Sequence, residues 1–271
     1  MKVLIYIALH KRHELAKLYY PALLRFIDYA ATLGIEAFPL FIWSYQDDRA
    51  ICERYFFHAP YVYADNKPLG SKLNAGLKTA FSMDWDYLMG FGADDIIRPE
   101  YWDAALPHMK QHKMCIGMTR LLCYELSTDR MKLVGPTSYC YGAGRMIARK
   151  YIEAGAYRYT VKCKFSNTAG DRRGQIKTIP KYKFKEVSYD YIDTAVELWP
   201  SQQNNAMDAG SQARIWEGMG VSGMWMQTVI DQDELYCLDL KTDHNVNKFD
   251  KLPGVVLENH RKDELLKLFN V

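Results

Sequence analysis

Two adjacent carboxylates, Asp94 and Asp95, follow a short apolar run, Tyr87-Leu88-Met89-Gly90-Phe91, and a break at Gly92. The run has the length and composition of a buried strand, which puts the pair just past that strand's C-terminal edge. Ligands of open α/β sheets bind at that edge. Two like charges side by side repel, and both stay ionised most readily when a cation sits between them and a ligand. Oxygen donors of this kind suit Mg²⁺ or Mn²⁺ carrying a diphosphate. A plainer role is also open: an acidic turn whose second Asp caps the helix that Arg98-Pro99-Glu100 begins.

A second set of chemistry-bearing residues stands at the other early strand ends. Residues 2–9 read as a buried strand rich in Val and Ile, and His10-Lys11-Arg12-His13 lies where it stops. Cations there suit an anionic diphosphate, although a solvated basic turn has the same composition. Residues 14–33 carry apolar side chains at three-to-four spacing and predict a helix with one face on a sheet. A second strand at residues 35–43 implies parallel pairing through a right-handed crossover. The loop after it contains Ser44, Tyr45, Asp47 and Asp48. A short helix at 49–57 and a third strand at 61–64 precede the next motif.

That motif is Gly70-Ser71-Lys72-Leu73-Asn74-Ala75-Gly76, inside the run from residue 66 to 80. Glycines let backbone come close at phosphate sites. Taken with Asp84-Trp85-Asp86 and then Gly92-Ala93-Asp94-Asp95, it resembles the nucleotide-sugar half of family-two-like glycosyltransferases of the GT-A fold. In that family a Gly-x-x-x-Asn-x-Gly helix precedes the strand that ends in an Asp-x-Asp metal motif. Here Gly92 takes the place of the first Asp, so Asp94 and Asp95 supply the metal contact, and which of them does so stays open. The resemblance covers about the first 110 residues well and two later segments more loosely.

The resemblance implies an α/β fold: a single GT-A-like domain with a mostly parallel central sheet and helices on both faces. Residues 1–110 would bind the nucleotide sugar and residues 111–271 the acceptor. His10, Lys11, Arg12, Ser44, Asp47, Lys72, Asn74 and Asp94 would contact the donor, expected to be a UDP-sugar. Mn²⁺ or Mg²⁺ would be held by Asp95 or Asp94 and by His244, which lies in Asp243-His244-Asn245 after a predicted strand at 235–241. The segment Met207-Asp208-Ala209-Gly210-Ser211-Gln212-Ala213-Arg214 resembles the family's acidic helix start, which makes Asp208 the base that deprotonates an acceptor hydroxyl, with inversion. By local rules Asp208 is equally a helix cap.

Between these landmarks, residues 101–109 predict a helix, 114–122 a strand and 124–133 a hairpin. Gly142-Ala143-Gly144 predicts a turn entering a helix, residues 225–230 a further strand, and 256–269 a closing amphipathic helix. Residues 161–187 form a basic stretch with Lys162, Lys164, Arg172, Arg173, Lys177, Lys181, Lys183 and Lys185, and between residues 161 and 185 only Asp171 stands against them. It reads as a solvated loop or as a lid meeting the phosphates of a lipid-linked acceptor, DNA or the donor. Saccharide or lipid-linked acceptors are favoured.

Composition sets the outer bounds. With 271 residues, 49% apolar and 25% charged, the chain is ordinary for a globular domain with a sizeable core. A net charge of +3 argues for no particular partner as a whole. The six cysteines show no zinc-site spacing and read as reduced thiols. No run approaches the ~20 apolar residues of a membrane span, and the apolar N-terminus is too short for a signal peptide, so a soluble, cytoplasmic protein is expected. Two other classes fit part of the pattern: a nucleotidyltransferase, which would carry a glycine-rich first loop, and a non-catalytic sugar- or nucleic-acid-binding relative, which would need no base at Asp208.

Overall fold

The computed structural model describes residues 1–66, 69–137, 140–150, 152, 227–231, 234–242 and 249–271. The basic stretch, Asp208 and His244 lie outside the described residues.

The chain begins with β1 (Lys2–Ala8), whose residues alternate between two cores. Val3, Ile5 and Ile7 enter one, and Leu4 and Tyr6 the other. A strand buried on both faces reads as a continuous apolar run, which is how this segment reads. A single 3-10 turn (His13–Leu15) leads into α1 (Ala16–Thr32), and β2 (Glu36–Trp43) returns parallel to β1. Then come α2 (Gln46–Glu53), β3 (Tyr61–Tyr63) and α3 (Leu69–Phe81). Strand β4 (Tyr87–Gly92) lies on the other side of β1, again parallel, with Ala8 opposite Gly92.

Helix α3 packs on the second core through Leu73, Leu77 and Ala80, while α1 lies on the first. Gly76 lets α3 sit this close, because a Cβ there would lie 2.5 Å from both the Ile42 side chain and the Tyr6 hydroxyl. The Tyr6 hydroxyl donates to the Leu73 carbonyl and ties helix to strand. Helices thus cover both faces of the sheet.

After β4 the chain turns through Ala93 and Asp94 into β5 (Asp95–Ile97), then α4 (Tyr101–Lys110). Trp102 of α4 stacks on Phe26 of α1 with ring centroids 4.6 Å apart, and its Nε1 donates to the Phe26 carbonyl at 2.9 Å. The remaining strands are β6 (Cys115–Gly117), β7 (Leu121–Glu125), β8 (Arg130–Val134), β9 (Met146–Ala148), β10 (Gln227–Val229), β11 (Cys237–Lys241) and β12 (Val255–Val256). Helix α5 (Asn259–Phe269) closes the chain.

Two sheets result. The larger has the order β10-β6-β9-β4-β1-β2-β3, and the smaller β12-β8-β7-β11-β5. The larger sheet is mixed, not mostly parallel as the sequence led us to expect: β9 runs antiparallel to both β4 and β6. The smaller is antiparallel except where β11 meets β7.

Three local expectations change with this. The acidic pair leads into β5 rather than straight into a helix. Residues 114–122 split between β6 and β7, in different sheets. Gly142-Ala143-Gly144 feeds β9 first, and helical residues follow at 149–150 and 152. The hairpin is present as β7–β8, and the strands at 225–230 and 235–241 are present as β10 and β11.

Candidate active site

The order β4-β1-β2 makes β1 the switch point, since the chain proceeds from β1 to one side and later returns on the other. Connections diverge there and leave a crevice beyond the carboxyl ends of β1 and β4. Gly92 and Asp94 stand at one lip and His10-Lys11-Arg12 at the other. The same turn carries the chain from the larger sheet into the smaller, so Asp95 starts an edge strand of the latter.

Register then adds a residue that motif reading missed. Strand β11 pairs antiparallel with β5, and Asp239 falls directly opposite Asp95. Carboxylate oxygens of Asp94, Asp95 and Asp239 all lie within 4.8 Å of one another. The signal was a lone carboxylate in the apolar alternation Cys237-Leu238-Asp239-Leu240.

An oxygen of each carboxylate is held. Asp94 Oδ2 accepts from Arg12 Nη2 at 3.2 Å, and Asp95 Oδ2 from the Gly92 N–H at 2.7 Å. Asp239 Oδ2 accepts from Lys241 Nζ. Asp239 Oδ1, by contrast, is buried without a hydrogen-bond partner among the described residues.

Burial, then Asp94 and Asp239, push the Asp95 carboxyl well above the usual range. Burial also raises Asp239, to about 6, with Asp94 adding to the rise and Lys241 opposing it. Lys241 is raised because Asp239, Asp94 and Cys123 together outweigh the burial that opposes its charge. Three clustered acids, Asp95 buried and Asp94 and Asp239 half-buried, repel one another and cost free energy unless a cation joins them. Three hard oxygen donors, one a buried orphan, fit a divalent cation of the Mg²⁺ or Mn²⁺ kind. Gly92 accounts for the missing first Asp of the motif: a Cβ there would lie 2.6 Å from Asp95 Oδ2 and 2.7 Å from Asp94 Oδ1. The carboxylates fold over the position that a side chain would need.

The opposite lip is basic and aromatic. Arg12 bridges from Asp94 to the Thr242 hydroxyl at 3.3 Å. Lys11 adopts a left-handed backbone (φ 50), and its N–H donates to Asp48 Oδ1 at 2.9 Å. Non-glycine residues hold that conformation where surroundings fix it, often at ligand sites. Its ammonium lies 4.7 Å from the centroid of the exposed Tyr45 ring, and the His10 ring lies 5.4 Å from that ring. Burial, aided by Lys72, Arg12 and Lys11, depresses His10 to about 4, so its imidazole is neutral at pH 7.

Lys72 is buried on α3, and its Nζ donates to the Leu9 carbonyl at 2.5 Å and to Asn66 Oδ1 at 3.3 Å. Burial lowers its amine to about 8. Lys72 therefore ties α3 to the end of β1. Asn74 is buried on the same helix. Ser44 donates to the Ala64 carbonyl at 2.7 Å, joining the loops after β2 and β3.

Asp47 is exposed in the first turn of α2, whereas Asp48 turns inward and accepts from Lys11 and from His13 Nε2 at 2.9 Å. The helix phase of α2 selects between these neighbours: Asp48 and Cys52, four apart, are its buried residues. Asp48 Oδ2 is buried without a hydrogen-bond partner among the described residues. The five described cysteines are buried.

No protein-family model and no curated protein matches the sequence. Solved structures do match the fold. The crystal structure of S. aureus TarS 1-349 superposes with a TM-score of 0.53 at 11% identity, covering 100% of this chain and 71% of that one. The crystal structure of S. aureus TarS gives 0.52 at 12% identity, covering 100% of this chain and 43% of the other, so this chain spans less than half of the longer protein. No described helix is long and apolar enough to cross a membrane. In its fold, the chain is GT-A-like.

Proposed function

We propose that this chain is a metal-dependent glycosyltransferase that moves a sugar from a nucleotide donor, a UDP-sugar, to an acceptor hydroxyl. The observation that carries the reading is the gathering of Asp94, Asp95 and Asp239 within 4.8 Å at the carboxyl edge of a GT-A-like fold, with Arg12 bonded to Asp94. Asp94, Asp95 and Asp239 would hold Mn²⁺ or Mg²⁺, with His244 as a further ligand. When bound, the cation neutralises the charge that develops on the leaving diphosphate.

The chain's own residues do the rest. Lys11 and Arg12 hold anionic oxygens at the β1 end. Lys72, bonded to the Leu9 carbonyl, fixes that end in place. Tyr45 offers an aromatic face to a base, with Ser44 and Asn74 bordering the donor and Asp48, rather than the exposed Asp47, facing inward. Asp208 takes the proton of the acceptor hydroxyl as that oxygen bonds to the anomeric carbon and the carbon–diphosphate bond breaks, with inversion. Residues after 111 receive the acceptor, a saccharide or lipid-linked species in preference to DNA.

A panel of nucleotide sugars with Mn²⁺, read as protection from thermal unfolding, tests this reading. One nucleotide sugar should stabilise the chain with Mn²⁺ and lose that effect in EDTA. No stabilisation by any of them would overturn the donor assignment.

A further inference from the structure

Resting on the metal-site reading above, we propose that Lys241 is a resident counter-cation that competes with the divalent metal for Asp239, so that metal binds tightly only together with the donor's diphosphate. Lys241 and Asp239 are two apart on β11, so their side chains leave the same face of the strand. Lys241 is only 6% exposed, and its ammonium bonds Asp239 Oδ2. A buried ammonium cannot be rehydrated cheaply if its carboxylate is withdrawn. Lys241 therefore keeps its hold on Oδ2 and leaves Oδ1, the buried orphan, as the oxygen Asp239 offers.

Arg12 does the same to Asp94 from the other lip, but it has a second partner in Thr242. The formal charges are −3 from Asp94, Asp95 and Asp239 and +2 from Arg12 and Lys241, leaving −1. One net negative charge holds a dication weakly. A diphosphate supplies the missing negative charge and oxygen ligands, so metal and donor strengthen each other's binding. Reciprocity follows from linkage. Lys241 is thus a positioning residue that sets metal affinity and makes it conditional.

The test is Mn²⁺ uptake by the full chain, followed by loss of the electron paramagnetic resonance signal of free Mn²⁺, with and without UDP. Wild type should bind Mn²⁺ alone weakly and at least about tenfold more tightly with UDP. Lys241→Met should bind Mn²⁺ alone at least about tenfold more tightly than wild type, a change of roughly 1.4 kcal/mol. UDP should add less to it. Unchanged or weaker Mn²⁺ binding by a folded Lys241→Met overturns the proposal.

Should circular dichroism show that variant unfolded, Lys241→Gln carries the same expectation and the same refutation. Adding Asp239→Asn to the variant should erase the gain, and a gain that persists places Lys241's effect elsewhere and also refutes the proposal. If wild type takes up no Mn²⁺ even with UDP, the metal reading itself falls, a result distinct from failure of the Lys241 variant alone.

Discussion

Replacing Asp95 with Asn removes one buried charge while keeping an oxygen that can accept the Gly92 N–H, which Asp95 now does at 2.7 Å. Asp95 is 7% exposed, and its oxygen lies within 4.8 Å of those of Asp94 and Asp239. At that separation and an effective dielectric near 20, each like-charge pair costs about 3 kcal/mol before Arg12 and Lys241 offset it. A net of roughly 2 kcal/mol remains a reasonable scale, or about 5 °C in Tm for a domain of this size.

The sign follows from the raised pKa of Asp95. An acid whose folded pKa exceeds its unfolded value near 4 contributes stability that is fully present below that value and lost as pH rises through the folded one. Asn does not ionise. In EDTA, Asp95→Asn and wild type should therefore melt together near pH 5, and the variant should pull ahead by about 5 °C towards pH 9. Mn²⁺ with UDP should reverse the order, raising wild type and leaving the variant unmoved. Differential scanning fluorimetry at several pH values reads all of this. A variant that melts well below wild type at every pH would show Asp95 to be a structural acid and refute the repulsion argument.

Gly92→Ala should keep the fold yet lose Mn²⁺ affinity by at least about tenfold, because the added Cβ displaces both Asp94 and Asp95 oxygens; calorimetric titration of Mn²⁺ with UDP checks it. Asp208→Asn should lower kcat by about 10²–10⁴-fold, the range of a positioned acid–base group, while donor affinity stays put; a rate equal to wild type would leave it as a cap.

Most of the first 110 residues was legible because β1, β2 and β4 are apolar runs between amphipathic helices, and parallel crossovers then admit few topologies. The misread parts have a common physical origin. Strands β5, β6 and β9 have three residues each, too few to show a period, and their direction is set by partners far along the chain. The antiparallel insertion of β9 between β4 and β6 is a tertiary choice that no local pattern carries.

The site divides the same way. Asp94 and Asp95 were visible as a motif, Lys11 and Arg12 as cations at the end of β1, and Lys72 within the glycine-bracketed helix motif. Asp239 was not, because it meets Asp95 only through β11–β5 register across more than a hundred residues. Asp48 is a different case. Its inward turn was readable from its spacing to Cys52 on α2, yet the loop reading favoured Asp47.

The central claim is that three carboxylates hold a metal for chemistry on a nucleotide sugar. Release of nucleoside diphosphate from a UDP-sugar by the full chain, measured with Mn²⁺ and in EDTA for wild type, Asp94→Asn and Asp239→Asn, tests it most directly. The account predicts release by wild type with Mn²⁺, none in EDTA, and a loss of at least about a hundredfold in each variant. Release that continues undiminished in EDTA, or in folded Asp239→Asn, would contradict it.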